Sequence, residues 1–308
     1  MSEAAAAPLA LTGGTGFVGQ AVLDLAAQGG LAVRALTRRE QPARPGVEWV
    51  RGDLADRAAL ARLVAGAGAV LHVAGVVSTP EPAGFHAGNV AGTEAVLEAT
   101  RQAGVARLVL VSSLSAREPA LSAYGRSKRH AEELVQVSGL DWTIVRPPAI
   151  YGPRDREMLE LFKAARWGVV PMPPAGHASV IHVTDLARLL LALVPGGPQV
   201  GLRLFEPDDG RTGGWSHGEL ARAIGAAVGL RVWVPHLPAA ALMGVARLDK
   251  ALRGAGAKLT ADRVGYMTHP DWVCRPDKAP PVDLWQAQIA TAEGLAETAR
   301  WYRAQGWL

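Results

Sequence analysis

Residues 9–20 read LALTGGTGFVGQ, a short apolar run that breaks into glycines and resumes as an amphipathic segment. Two spacings coexist: Gly14, Gly16 and Gly19 fit G-x-G-x-x-G, and Gly13, Gly16 and Gly19 fit G-x-x-G-x-x-G. Either describes a tight turn from a strand into a helix. Glycine there lets the backbone reach positive φ and lets a pyrophosphate approach with no Cβ in the way. A helix opening near Gly16 points its free N–H groups and positive dipole end at the phosphates. The fingerprint requires a strand before it and a helix after it; Leu9–Leu11 and VGQAVLDLAAQGG supply both. Without that context the same glycines would read as a structural turn. Gly13, Thr15, Gly16, Phe17, Val18 and Gly19 are therefore expected to hold a dinucleotide.

The rest of the chain repeats the alternation. LAVRALTRR (31–39) runs into the Pro/Gly-rich loop QPARPG, and VEWVRGDL (47–54), GAVLHVAG (68–75), VARLVLVSS (105–113) and LDWTIVRPP (140–148) follow, each read as preceded by an Ala/Leu-rich helical stretch. Strands alternating with helices predict βαβ units and a parallel sheet. VLHVAG and LVLVSS are nearly continuous apolar runs, as strands covered on both faces should be. The expected fold is α/β, a Rossmann-type doubly wound sheet with ligand outside the carboxyl ends of its strands. Beyond Pro148 prolines and glycines crowd the chain, while 186–207 still reads as helix plus strand. The division expected is a dinucleotide-binding domain of residues 8–148 plus 186–207, and a smaller C-terminal substrate lobe of 149–185 plus 208–308.

Composition narrows the function classes. Among 308 residues, 49% are hydrophobic and 19% charged, which excludes general disorder. The net charge of +4 comes from scattered basic residues without a nucleic-acid stripe. Cys274 is the one cysteine, so no intrachain disulfide can form, and no histidine pair has metal-ligand spacing. No metal is expected. MSEAAAAP lacks a basic n-region and reads as a short tail, not a signal peptide. The longest apolar runs are too short to span a bilayer, and the expected location is cytoplasmic.

LSAYGRSKRHAEELV (121–135) has helical periodicity and places Tyr124 and Lys128 four residues apart, on one face. A phenol is a poor acid-base group at neutral pH, and a neighbouring ammonium would draw its pKa down. Lys128 can supply that charge and also hydrogen-bond a nicotinamide ribose. Ser113, ending LVLVSS, can donate to a developing oxyanion. By itself YxxxK arises often on exposed helices; following the glycine turn and a strand-ending serine it reads as catalytic.

With these residues in place the chain resembles the extended short-chain dehydrogenases/reductases, the branch with epimerase/dehydratase-like and dihydroflavonol-reductase-like proteins. The resemblance runs through TGGTGFVG, GDLAD, HVAG, NVAGT, VSS, YGRSK, RPPAIYGP and IHVTDLA. It implies Tyr124 as acid-base, Lys128 as ribose-binding and pKa-lowering, and Ser113, not Ser112, as carbonyl polariser. It implies Asn89 as the asparagine that maintains the site helix and proton relay, Asp53 and Leu54 at the adenine, Ala74, Gly75 and Val76 along the adenosine ribose, and Pro147 at the cofactor. A helix cap is the alternative for Asn89. Homodimers are common in the family, and a homodimer is open here.

At the end of the second strand NAD enzymes place an acid, whereas Arg accommodates a 2′-phosphate. Here Thr37-Arg38-Arg39 stand with no carboxylate before Glu40, which favours NADP(H) and leaves NAD(H) open. A solvated loop charge is the alternative for Arg39. Only ten residues separate Ser113 from Tyr124, a short interval that resembles the atypical branch containing a complex I accessory subunit. Pro147–Pro148 stand where sugar-nucleotide enzymes carry an asparagine-containing strand end. The expected function is hydride transfer between NADP(H) and a mostly apolar ketone, aldehyde or secondary alcohol. A nucleotide-sugar epimerase or dehydratase and a non-catalytic NADPH-binding structural or sensory protein are the alternatives.

Met158, Leu161, Phe162, Trp167, Val170 and Met172 are apolar candidates for substrate contact or packing. Arg154 and Arg156 could clamp a pyrophosphate, with local pairing to Asp155 and Glu157 the simpler account. In 242–259 apolar residues at helical spacing oppose Arg247, Lys250, Arg253 and Lys258. That pattern predicts core packing under a solvated basic face, with membrane-surface association as the alternative.

Overall fold

The apolar runs become the strands of one parallel sheet. In the computed structural model, which describes residues 7–79, 81–257 and 259–308, they are Leu9–Thr12 (β1), Val33–Thr37 (β2), Val47–Arg51 (β3), Ala69–His72 (β4), Arg107–Val111 (β5) and Asp141–Val145 (β6). Ala149–Tyr151 (β7), His177–Ala178 (β8), Val180–His182 (β9), Arg203–Phe205 (β10), Trp215–Ser216 (β11) and Asp271–Trp272 (β12) follow. The seven-stranded sheet runs β10-β6-β5-β4-β1-β2-β3, and every pairing is parallel. Strand order reverses between β1 and β4. That is where a doubly wound sheet leaves a crevice, because the connections depart to opposite faces.

Helices cover both faces, which is why β4 and β5 are buried along their whole length. Phe17–Gln28 and Val183–Leu193 pack together on one face, where Val22, Leu23, Leu186 and Leu190 meet Leu9, Leu11 and Leu71. Arg57–Val64, Gly92–Gln102 and Ala123–Gln136 cover the other, meeting Ala10, Val70, Leu108 and Leu110. Each such leucine contributes about 1.5–3 kcal/mol by burial.

The C-terminal part builds a separate apolar cluster. Met158, Phe162, Val170 and Met172 are buried within it, so these four candidates for substrate contact are core residues. Phe162 meets Tyr302 edge to face, with ring centroids 5.2 Å apart. Trp167 instead stands 87% exposed. The expected packing of 242–259 also needs correction. Ala239–Arg253 is helical, but it buries only Leu242 and Ala246, while Val245, Leu248 and Leu252 face outward. Lys258 and residues 1–6 of the N-terminal tail lie outside the described residues. Among the described residues no helix is long and apolar enough to cross a membrane, and no group of His, Cys, Asp or Glu could hold a metal.

Candidate active site

The glycine turn and the loop after β4 meet at the switch point. Gly13 has φ +76, and a Cβ there would lie 2.6 Å from the Ala74 nitrogen. A side chain at Gly19 would strike the Gly13 carbonyl. Gly14 has neither a positive φ nor a backbone close to it and packs against Ala35. The structure thus selects Gly13, Gly16 and Gly19 from the two overlapping spacings. Gly16 caps Phe17–Gln28 with no side-chain partner, so the first turn of the helix carries open N–H groups. A bare, concave turn at a twelve-residue helix suits a dinucleotide pyrophosphate. Thr15, Phe17 and Val18 lie on this same turn and first helical residues.

A hydrogen-bonded relay joins that turn to the next loop. The Thr12 hydroxyl and His72 Nδ1 are 2.6 Å apart, His72 Nε2 is 3.1 Å from Thr93 Oγ1, and Thr93 donates to the Asn89 carbonyl at 2.6 Å. Since the Thr93 proton is committed to Asn89, His72 must donate from Nε2 and accept at Nδ1. The neutral ring this requires is what burial enforces. Desolvation, with the Lys128 charge adding to it, lowers the His72 pKa to about 3.

Asn89 does not cap a helix. It lies within a π-helical turn, His86–Ala91, that runs without a break into Gly92–Gln102. Its Oδ1 accepts from Val76 N at 2.7 Å, and its Nδ2 donates to Val76 O and to Ser127 Oγ, both at 2.9 Å. The side chain therefore binds the Ala74–Val76 loop to the helix of Tyr124. Gly75 completes the junction, since a Cβ there would stand 3.1 Å from Asn89 Oδ1 and 3.5 Å from Lys128 Nζ.

Tyr124 and Lys128 lie on Ala123–Gln136, capped by Ser122 through Gly125 N at 2.9 Å. The Lys128 ammonium is buried and donates to Val111 O, at the end of β5, at 2.8 Å. Burial lowers its pKa to about 8, against the pull of Glu132. Ser113 lies just past β5; its Oγ accepts from Ser115 N at 3.2 Å and from Ser115 Oγ at 2.9 Å. Both serines act on Tyr124, each favouring its ionised form. The expectation that Lys128 draws the tyrosine pKa down is not met. Burial dominates and pushes Tyr124 up to about 12, only partly offset by the hydrogen bond to Ser113, while Tyr266 and Glu157 push it further up.

The short interval between Ser113 and Tyr124 is filled by two 3-10 turns, Leu114–Arg117 and Pro119–Leu121. The C-terminal part docks on them. Arg117 donates to Val273 O at 2.7 Å, Gly265 leaves room only for the Leu121 carbonyl, and Asp262 accepts from Ala123 N at 2.5 Å. Tyr266 and Phe85 bracket the tyrosine, with ring centroids 6.2 and 5.8 Å from it.

Sequence reasoning passed over Ser115, Phe85, Tyr266 and His72. It also passed over Glu132, although Glu132 lies one turn beyond Lys128 on the same helix face. Ser112, adjacent to Ser113, gives its hydroxyl to Glu132 at 2.5 Å and so faces away from Tyr124's serines. Arg146 holds Glu132 through Nε at 2.8 Å and Nη2 at 2.6 Å, and reaches Glu206 at 3.3 Å. Pro147, next in sequence, accepts from Leu114 N at 2.9 Å.

The remaining expected residues sit at the other end of the crevice. Arg38 and Arg39 are exposed at the carboxyl end of β2, with Arg39's backbone fixed by Thr37 Oγ1, which donates to Arg39 O at 2.6 Å. Asp53 spends a carboxylate oxygen on Ala55 N at 2.8 Å, making the turn that leads into Arg57–Val64. Leu54 packs against Gly92. The expected local pairing of the two arginines near residue 155 is not formed. Arg154 pairs with Asp24 at 2.6 Å, and Arg156 lies 4.8 Å over Trp307. Asp155 caps Glu157 N and Met158 N at 2.8 and 2.9 Å, while Glu157 pairs with Arg263.

The comparisons with known proteins agree with this frame. An NAD(P)H-binding family model matches residues 13–194. A protein named ceramide reductase from Caulobacter vibrioides is 38% identical over 100% of this chain and 98% of its own length. A 2-alkyl-3-oxoalkanoate reductase from Stenotrophomonas maltophilia is 30% identical over 90% of this chain and 87% of its own. In fold, the dTDP-glucose 4,6-dehydratase of Streptomyces venezuelae, solved with NAD bound, superposes with a TM-score of 0.71 at 23% identity, over 97% of this chain and 98% of that one. The chain is thus an NAD(P)-dependent oxidoreductase, and it belongs to the NAD(P)H-binding family.

Proposed function

We propose that the protein is an NADP(H)-dependent reductase of a mostly apolar ketone, with residues 149–185 and 208–308 forming the lobe that receives the substrate. The observation that carries this reading is the meeting of Tyr124 with the Ser113 and Ser115 hydroxyls, one turn from buried Lys128. Bound NADP(H) supplies or accepts the hydride. Ser113 and Ser115 orient the carbonyl oxygen, and Tyr124 hands its phenolic proton to that oxygen as the alcohol forms. A phenol held near 12 keeps its proton at neutral pH, which suits the reductive direction. Lys128 supports the nicotinamide ribose, Asn89 fixes the loop beside it, and the glycine turn of residues 13–19 takes the pyrophosphate. Asp53 and Leu54 border the adenine, Ala74 to Val76 its ribose, and Pro147 the nicotinamide end.

The apolar substrate class is supported by Phe85 and Tyr266 beside Tyr124. It is also supported by the names of the two full-length relatives, one for a ceramide and one for a 2-alkyl-3-oxoalkanoate. Calorimetry and NADPH absorbance, run on a panel of bulky ketones beside UDP- and dTDP-sugars, test it. Reduction of several long-chain ketones is the expected result. Saturable binding of a nucleotide sugar with no ketone reduced would replace the reading by an epimerase or dehydratase.

Cofactor choice follows from the end of β2. Arg38 and Arg39 offer charge-assisted donors to a 2′-phosphate, and no carboxylate there awaits a free hydroxyl. NADPH should bind more tightly than NADH. Arg38→Asp should narrow or reverse the preference by about tenfold or more, as expected for one hydrogen bond to a charged group. Titration by tryptophan fluorescence measures it, and equal affinities in the unaltered protein would remove the assignment.

A further inference from the structure

Tyr124 lies in the first turn of the helix Ala123–Gln136, where the backbone N–H groups have no partner inside the helix. Ser122 Oγ takes one of them, Gly125 N, at 2.9 Å, and the Ser122 carbonyl accepts from Arg126 N at 3.1 Å. The N–H groups of Ala123 and of Tyr124 itself remain. Both go to one carboxylate, Asp262, whose Oδ1 accepts from Ala123 N at 2.5 Å and whose Oδ2 accepts from Tyr124 N at 3.4 Å. That carboxylate stands 138 residues from Tyr124 in the chain. It also meets the positive end of a fourteen-residue helix, so charge and hydrogen bonding act together.

Asp262 can serve a foreign helix because its own is capped by another residue. Ala261–Met267 starts on Thr260, whose hydroxyl accepts from Arg263 N at 3.1 Å. Two further contacts hold this short helix against the site. A Cβ at Gly265 would lie 2.3 Å from the Leu121 carbonyl oxygen, and Trp272 Nε1 donates to Tyr266 O at 2.7 Å. Asp262 and Tyr266, four residues apart, share a face, so the helix that touches the ring of Tyr124 also holds its backbone. A proton donor must stay within hydrogen-bond reach of its acceptor, and helix ends fray unless their free N–H groups are bound.

We propose that Asp262 is a positioning residue for Tyr124, through which the C-terminal part fixes the first turn of the acid-base helix. The proposal rests on the assignment of Tyr124 as proton donor. The short interval after Ser113 makes the contact possible, because the turn Pro119–Leu121 ends where Gly265 packs and delivers the helix start to Asp262.

Comparison of Asp262→Ala with Asp262→Asn in the full chain tests it. The alanine variant should lower kcat about tenfold and leave KM and NADPH affinity within about twofold; tenfold corresponds to about 1.4 kcal/mol, the size of a helix cap. Asparagine keeps one acceptor oxygen and caps helices well, so Asp262→Asn should restore kcat to within about threefold of the original. Hydrogen exchange reads the contact without turnover: the Ala123 and Tyr124 amides should both exchange about tenfold faster in Asp262→Ala. In Asp262→Asn one of the two should speed up and the other stay protected, a split that decides the matter even if the alanine variant fails to fold. Unchanged kcat or unchanged exchange in Asp262→Ala, a raised KM at unchanged kcat, or equal losses in both variants would each overturn the proposal. An inactive Tyr124→Phe beside an unimpaired Asp262→Ala would remove the positioning role alone, whereas a fully active Tyr124→Phe would remove the proton-donor assignment on which it rests.

Discussion

Replacing Tyr124 by Phe should lower reductive turnover by about 10²- to 10⁴-fold, the range expected when a positioned proton donor is lost. Cofactor affinity should change little, because the hydroxyl is the proton donor on the helix Ala123–Gln136 and is no part of the glycine turn. The two measurements separate a chemical role from a structural one: stopped-flow turnover against any accepted ketone, and fluorescence titration with NADPH. Turnover near the original rate would refute the proton-donor assignment. The pH profile adds a second check. Tyr124, pushed up to about 12, retains its proton across the neutral range, so reduction should not speed up as pH rises. Lys128, held down to about 8 by burial, loses its charge above that value, and the rate should decline on the alkaline side.

The largest stability effect should come from Glu132. Its carboxylate receives Ser112 at 2.5 Å and two nitrogens of Arg146, all in a buried setting. Glu132→Ala would leave the Arg146 guanidinium with only Glu206, at 3.3 Å, and strand the serine hydroxyl. Breaking a buried pair from one side costs about 3–5 kcal/mol, because the remaining charge is desolvated without its partner. The melting temperature should fall on the order of 10 °C for a chain of this size. Replacing Glu132 and Arg146 together by apolar residues of similar volume should cost less than Glu132→Ala alone. A melting point unchanged by Glu132→Ala would show that the network does not hold β6, the Tyr124 helix and the Glu206 loop together.

The division between sequence and tertiary structure follows the range of the interactions. Local rules sufficed for the seven strands of the parallel sheet, most clearly for Ala69–His72 and Arg107–Val111, which are buried on both faces and therefore almost continuously apolar. They sufficed too for bringing Tyr124 and Lys128 onto one helix face, and for the turn at Gly13, where a positive φ is written as glycine. Periodicity also marked an apolar face in 242–259 and predicted core packing for it, yet it could not say whether another element covers that face; among the described residues Val245, Leu248 and Leu252 stay exposed. Nor could spacing choose between the two glycine sets, since Gly13 is singled out by Ala74, which is sixty-one residues away in the chain. The ionisation of Tyr124 was misjudged from sequence for the same reason. A neighbour four residues away is visible in the chain, but the burial that outweighs it comes from Phe85 and from Tyr266 of the C-terminal part. The residues around Arg154 show the point most directly. Adjacent acids suggested local pairs, and folding instead gave Arg154 to Asp24, Arg156 to Trp307 and Glu157 to Arg263, because backbone direction at this loop points each side chain toward a different element.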